Sequence, residues 1–243
     1  MATRSAAPDA GPLERQARAT LRESARTFAQ LEKRNATAVA AAAELILRCF
    51  ENGGTVFFCG NGGSAADAQH LAAEFSGRYL VDRPGLPAVA LTTNSSAVTA
   101  IGNDYGYDEV FSRQLEGLAS PGDVLVAITT SGRSESIRRA VRVAQEQDMT
   151  VIGMTGAKGG DFAALCDVAL ITPHDVTPYI QEGHIAMGHA FCLLVERTLF
   201  PAGGSRGGPR STPRKPRALR ARGTAKGKTQ RGPSLPARRK SRA

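Results

Sequence analysis

Residues 55–64 read Thr55-Val56-Phe57-Phe58-Cys59-Gly60-Asn61-Gly62-Gly63-Ser64, and a helical pattern over Ala65–Ser76 follows at once. The first five residues are apolar on both faces, which suits a strand in the middle of a parallel sheet rather than one with a wet side. The same grammar returns downstream. Ala88–Thr92, Val124–Thr130, Thr150–Thr155 and Val168–Thr172 are short apolar runs. Helical spacing fills the gaps between them at Asp108–Ala119, Ser134–Gln147 and Phe162–Leu165, and a long last helix is expected over Pro178–Phe200. Strands alternating with helices predict an α/β fold: a doubly wound, mainly parallel five-stranded sheet flanked by helices on both faces.

Working outward, Leu13–Arg34 and Ala36–Asn52 read as two helices separated at Asn35, the second ending at Gly53-Gly54. Residues 1–12 are expected to be flexible, residues 13–200 to form the domain, and residues 201–243 to be a disordered basic tail, because Pro, Gly, Lys and Arg leave that tail little to bury. The formal charge of +9 suggests a nucleic-acid partner until it is located: residues 201–243 hold 14 Lys plus Arg and no acid, which leaves −5 on residues 1–200. Two readings of the tail follow: it binds polyanions nonspecifically, or it is a solubilising, dispensable extension. The four cysteines, Cys49, Cys59, Cys166 and Cys192, sit singly in apolar runs, as buried thiols in a reducing compartment do. No run of about 18 apolar residues offers a membrane span, and the first residues lack the apolar core of a secretory signal, so a cytoplasmic protein is expected.

Two strand ends carry chemistry. Gly60-Asn61-Gly62-Gly63-Ser64 follows the first strand and Ser131-Gly132-Arg133-Ser134-Glu135 follows the third, each running into a helix. Glycines allow close backbone approach, helix starts favour negative charge, and the hydroxyls of Ser64, Thr129, Thr130, Ser131 and Ser134 add neutral donors suited to a phosphate monoester. Neither loop is a Walker motif and neither fits GxGxxG, which argues against a nucleotide cofactor. On the helix after the first loop, His70 and Glu74 are four residues apart and share a face. Such a pair can chelate zinc, can act as an acid–base pair, or can be an exposed helical pair of little consequence.

The stretches CGNGGSAADAQHLAAEFSGRY, AIGNDYGYDEVFSRQLE, GDVLVAITTSGRSESI and IQEGHIAMGHAF, in that order over roughly residues 13–200, resemble the phosphoheptose isomerase branch of the sugar-isomerase (SIS) family. The resemblance implies interconversion of sedoheptulose 7-phosphate and D-glycero-D-manno-heptose 7-phosphate through an enediol, in nucleotide-activated heptose biosynthesis. It further implies zinc held by His70, Glu74, Gln181 and His189, catalysis by Glu74 and His189, and a homotetramer with its sites near subunit interfaces. The substrate is expected to contact Asn61, Gly62, Gly63, Ser64, Glu74, Asn103, Asp104, Thr129, Thr130, Ser131, Ser134 and Gln181. His184 matches no functional position and is expected to be an ordinary helix-face histidine. One geometric difficulty stands out: Gln181 and His189 are eight residues apart, about 12 Å along a straight helix.

Two positions depart from the family pattern. Thr129 stands where relatives often have Ser and keeps the hydroxyl; Tyr179 stands where they commonly have Arg, which removes a cation. The competing reading is a non-catalytic SIS-domain regulator that binds a replication initiator. That branch shares the glycine loops and the IQE segment but does without the glutamate and the last-helix histidine. A sugar-phosphate-sensing transcription factor is less apt, because only about 50 residues precede the first strand and they read as long helices.

Overall fold

The computed structural model describes residues 11–201. The apolar runs form five strands: β1 (Val56–Gly60), β2 (Ala88–Ala90), β3 (Val124–Ile128), β4 (Thr150–Gly156) and β5 (Val168–Thr172). All neighbours pair in parallel, in the order β2-β1-β3-β4-β5. Strand alternation divides the core in two. Val56, Phe58, Val126, Ile128 and Met154 point to one face, where they meet α1 (Pro12–Glu51), α2 (Gly63–Ser76) and α7 (Thr177–Leu199). Phe57, Cys59, Leu125, Ala127 and Val151 point to the other, against α4 (Ser112–Leu118), α5 (Glu135–Glu146) and α6 (Gly160–Ala163). Both faces are covered, as an all-parallel sheet requires.

The N-terminal region corrects the expectation of two helices. Pro12–Glu51 is one continuous helix of 40 residues, and Asn35 lies buried within it. Asparagine costs only a few tenths of a kcal/mol in a helix, and here its amide is paired on both sides: Nδ2 donates to the Ile171 carbonyl (3.0 Å) and Oδ1 accepts from the Ile171 N–H (3.0 Å). Asn35 thus stands in for a missing neighbour along β5, the edge strand. The helix expected over Asp108–Ala119 is also divided, into a 3-10 turn at Tyr107–Glu109 and α4. A helix not anticipated, α3 (Ser95–Asp104), is capped by the Asn94 side chain accepting from the Ala97 N–H.

Among the described residues no helix is long and apolar enough to cross a membrane. Cys49, Cys59 and Cys192 are buried thiols outside any disulfide and Cys166 is partly buried; burial pushes the thiols of Cys59 and Cys166 up to about 12, which leaves them inert. The expectations for residues 1–10 and 202–243, including the basic tail, fall outside the described residues.

Candidate active site

The sheet order reverses direction between β1 and β3, and in such sheets ligands bind beyond the carboxyl ends of the strands at that switch point. A cavity of about 350 Å³ lies there, lined by Asn61, Gly63 and Ser64 after β1, by Thr129, Thr130, Ser131 and Ser134 after β3, and by Thr177 and Gln181 of α7. The turn after β1 depends on glycine. Gly62 has φ +57°, and a Cβ on Gly63 would lie 2.2 Å from Gln181 Nε2. The serines after β3 are not consumed by their own helix: Ser134 is the N-cap of α5 yet makes no capping bond. Its hydroxyl instead accepts from Asn61 Nδ2 at 2.8 Å. The pocket is thus lined by hydroxyls and amides with no carboxylate among its lining residues, a surface suited to an anion.

The second part of the site runs down the seam between α2 and α7. Gly63 abuts Gln181, and a Cβ on Gly188 would press on Leu71, so the two helices lie side by side in parallel register. His70 and Glu74 on α2 meet His189 on α7: the three offer ligand atoms that all lie within 4.8 Å of one another. His70 Nε2 is 2.8 Å from His189 Nε2 and 3.3 Å from Glu74 Oε1. Burial lowers the His189 imidazole below its ordinary value, and the neighbouring His70 lowers it further, against the raising effect of Glu74. Two imidazole nitrogens and a carboxylate oxygen converging this closely fit a divalent cation that accepts nitrogen and oxygen donors.

Two further residues build the walls. The Tyr79 ring stands 5.8 Å from that of His189, and its backbone N–H donates to buried Glu196. Arg83 donates to the backbone carbonyl of Glu74 from Nη2 (2.8 Å) and to Glu196 Oε1 from Nε (2.8 Å), so one guanidinium ties the end of α2 to α7.

Most of the expected residues are brought together, with three exceptions. Gln181 lines the anion pocket, two helical turns from His189, rather than standing beside the two histidines. Asn103 and Asp104 sit exposed at the end of α3, hydrogen-bonded to each other (2.9 Å), and do not line the pocket. His184, expected to be an ordinary helix-face histidine, is fully buried on α7. The Thr155 backbone lies near its ring, yet neither ring nitrogen makes a hydrogen bond of ordinary geometry, and burial holds the imidazole down at about 4. Sequence reasoning missed Thr177, Tyr79 and Tyr107. Of these only Thr177 left a signal, one helical turn before Gln181 on the same face.

The SIS domain profile matches residues 21–156. The phosphoheptose isomerase of Rhodospirillum rubrum is 55% identical over 164 residues, which cover 68% of this chain and 87% of the relative. A solved phosphoheptose isomerase from Neisseria gonorrhoeae superposes with a TM-score of 0.72 at 49% identity, covering 76% of this chain and 98% of that one. The one from Francisella tularensis gives 0.73 at 36% identity, covering 75% and 97%.

Proposed function

The chain belongs to the phosphoheptose isomerase branch of the SIS domain family, and on that premise we propose that it interconverts sedoheptulose 7-phosphate and D-glycero-D-manno-heptose 7-phosphate as a step of heptose biosynthesis. One observation carries the reading: His70, Glu74 and His189 converge within 4.8 Å along the seam that opens from the hydroxyl-lined pocket. From Ser64 to His70 is six residues of α2, about 9 Å, a span suited to a seven-carbon chain with its phosphate at one end and its carbonyl at the other.

The phosphate is held by Ser64, Thr129, Thr130, Ser131 and Ser134 with Asn61 and the Gly62-Gly63 backbone. Because it takes no part in bond changes, its binding energy serves to place the reacting carbons. Glu74 takes the proton that moves between C1 and C2. Its Oε1 lies 3.3 Å from His70 Nε2. His189, kept neutral by burial, exchanges a proton with the C1 and C2 oxygens as the enediol forms and collapses. We assign zinc to the cluster, where His70, Glu74 and His189 would hold it; when bound it would supply a Lewis acid that polarises the carbonyl. Asn103 and Asp104 would reach substrate hydroxyls from the end of α3.

We also assign a homotetramer with sites near its interfaces, in the cytoplasm. An apolar groove of about 400 Å³ between α1 and α7, lined by Phe28, Leu31, Val39, Met187, Leu193 and Leu194, supports the assembly, as do the exposed Leu13 and Leu21 further along α1. Light scattering on a Leu194→Glu variant tests it, with dissociation expected and an unchanged mass counting against it.

The test of the activity is turnover of sedoheptulose 7-phosphate, lost with a chelator and restored by zinc. Glu74→Gln should lower kcat by about 10²–10⁴-fold; near-normal turnover in that variant would overturn the assignment. A non-catalytic regulator would give no turnover at all.

A further inference from the structure

The hydroxyls of the anion pocket are useful to a phosphate only if their protons point at it, and a serine hydroxyl rotates freely unless something fixes it. Ser134 is not left free. Asn61 Nδ2 donates to Ser134 Oγ (2.8 Å) and to Ser136 Oγ (2.9 Å), and the two serine oxygens are 3.1 Å apart. Either serine can donate across that contact, but Ser136 is buried and has no other acceptor among the described hydrogen bonds, so donation from Ser136 to Ser134 Oγ is the direction that leaves no buried proton unpaired. Ser134 therefore accepts twice, from Asn61 and from Ser136. Both of its lone pairs are occupied, and its own proton is left to face the cavity that it lines.

This polarity depends on which way round the Asn61 amide sits. On its other side Asn61 Oδ1 accepts from the Tyr107 hydroxyl (2.8 Å). A phenol, with a pKa near 10, is a better donor than an aliphatic alcohol and a poorer acceptor. With Oδ1 towards Tyr107, both amide hydrogens and the amide oxygen have partners. Reversed, the amide would draw the serine protons onto its oxygen, away from the cavity, and leave one of its own hydrogens without a partner. Tyr107 is held in place for this task although it is half exposed: its 3-10 turn is docked on α5 by the ion pair of Glu109 with Arg139, and Glu109 also accepts from Ser112 (2.6 Å).

We propose that Tyr107 is a positioning residue which, through Asn61 and Ser136, fixes the direction of hydrogen bonding so that Ser134 presents its proton to the substrate's phosphate. The inference rests on the phosphate role given to the pocket under the proposed function, and it adds a residue outside the pocket wall that sets the strength of anion binding.

Inorganic phosphate is the probe, titrated calorimetrically into the full chain. Tyr107→Phe should bind it about threefold to tenfold more weakly, part of what a hydrogen bond to a charged group contributes, and should raise KM for the sugar phosphate while leaving kcat in place. In a Ser134→Ala background the same substitution should change phosphate affinity no further, because the partner through which it acts is gone. Tyr107→Phe binding phosphate as tightly as the unaltered chain would overturn the proposal. So would an effect that persists undiminished in Ser134→Ala, or an unaltered chain that binds no phosphate. Phosphate affinity is read without any turnover, so a chain that binds phosphate in this Tyr107-dependent way yet fails to isomerise a heptose would refute the activity and leave this inference standing.

Discussion

His70 Nε2 and His189 Nε2 face each other at 2.8 Å, though 119 residues separate them in the chain. Two imidazoles this close cannot both be cationic without strong repulsion, and burial together with His70 already keeps His189 from protonating. Two imidazole nitrogens aimed at one point, with Glu74 Oε1 3.3 Å from His70, are ready ligands. Zinc measured by elemental analysis should stand at about one ion per chain and fall well below that in His70→Ala and in His189→Ala. Full zinc content in both variants would place the ion elsewhere.

Gly63 lies at the junction of the pocket and the seam. A methyl there would sit 2.2 Å from Gln181 Nε2, the far end of a flexible side chain, so the fold can yield while the pocket cannot keep its amide in place. Gly63→Ala should melt close to the unaltered protein yet lose about tenfold to a hundredfold in kcat/KM, the scale of a small misplacement at a reacting centre. Gly117, in the last turn of α4, has nothing within 4 Å of a new Cβ. Gly117→Ala should keep full activity and gain up to about 1 kcal/mol. Equal activity in the two variants would show that Gln181 is not needed where it stands.

The strands were legible because each is an apolar run too short for a helix, and the pocket because two glycine-and-serine loops follow two of those strands. His70 and Glu74 could be paired by helical spacing alone, whereas bringing His189 to them took the family resemblance. What sequence could not carry were side-chain contacts between distant elements. Asn35 looks like a helix breaker until Ile171, 136 residues later, supplies both of its partners. Tyr107 reaches Asn61 across 46 residues, through a turn whose docking depends on an ion pair to a third segment. Gln181 was assigned by resemblance to the metal, and only the register of α2 against α7 shows it in the anion pocket.

Two buried groups give opposite pH dependences. His184 is held at about 4 by burial, below its ordinary 6.5. Below pH 6.5 the unfolded chain binds its proton and the native state does not, so stability falls between about pH 6.5 and 4, by roughly 3 kcal/mol in all. Asp67 is raised to about 6 by burial, partly offset by His70. There the native state binds the proton first, so stability rises as pH falls from about 6 towards 3.8. The two nearly oppose each other over that window. Asp67→Asn, measured by urea denaturation in chelator-treated protein, should therefore be more stable at pH 7 and lose stability more steeply on acidification. A slope no steeper than that of the unaltered chain would mean that Asp67 is not held protonated.

The Arg83–Glu196 pair, with side chains 1% and 3% exposed, differs from an isolated buried ion pair. Burial alone would push the Glu196 carboxyl up, yet the amides of Tyr79, Leu80 and Val81 and the Arg83 guanidinium together hold it below its ordinary value. Replacing an ion pair with apolar side chains is often harmless where the two charges satisfy only each other. Here Glu196→Leu would leave three backbone amides and the Arg83 Nε without an acceptor, beside a buried guanidinium that has lost its counter-charge, and should cost about 3–5 kcal/mol. Arg83→Met leaves the carboxylate with its three amides and should cost less. The double variant should not recover the stability of the unaltered chain, because the amides remain orphaned. Arg83 also holds the Glu74 carbonyl at 2.8 Å, so Arg83→Met should lower kcat as well as the melting temperature, since the base sits on the turn that has been released. Thermal melts of the three variants beside their kcat values check both halves, and a double variant as stable as the parent would show that the amides find other partners.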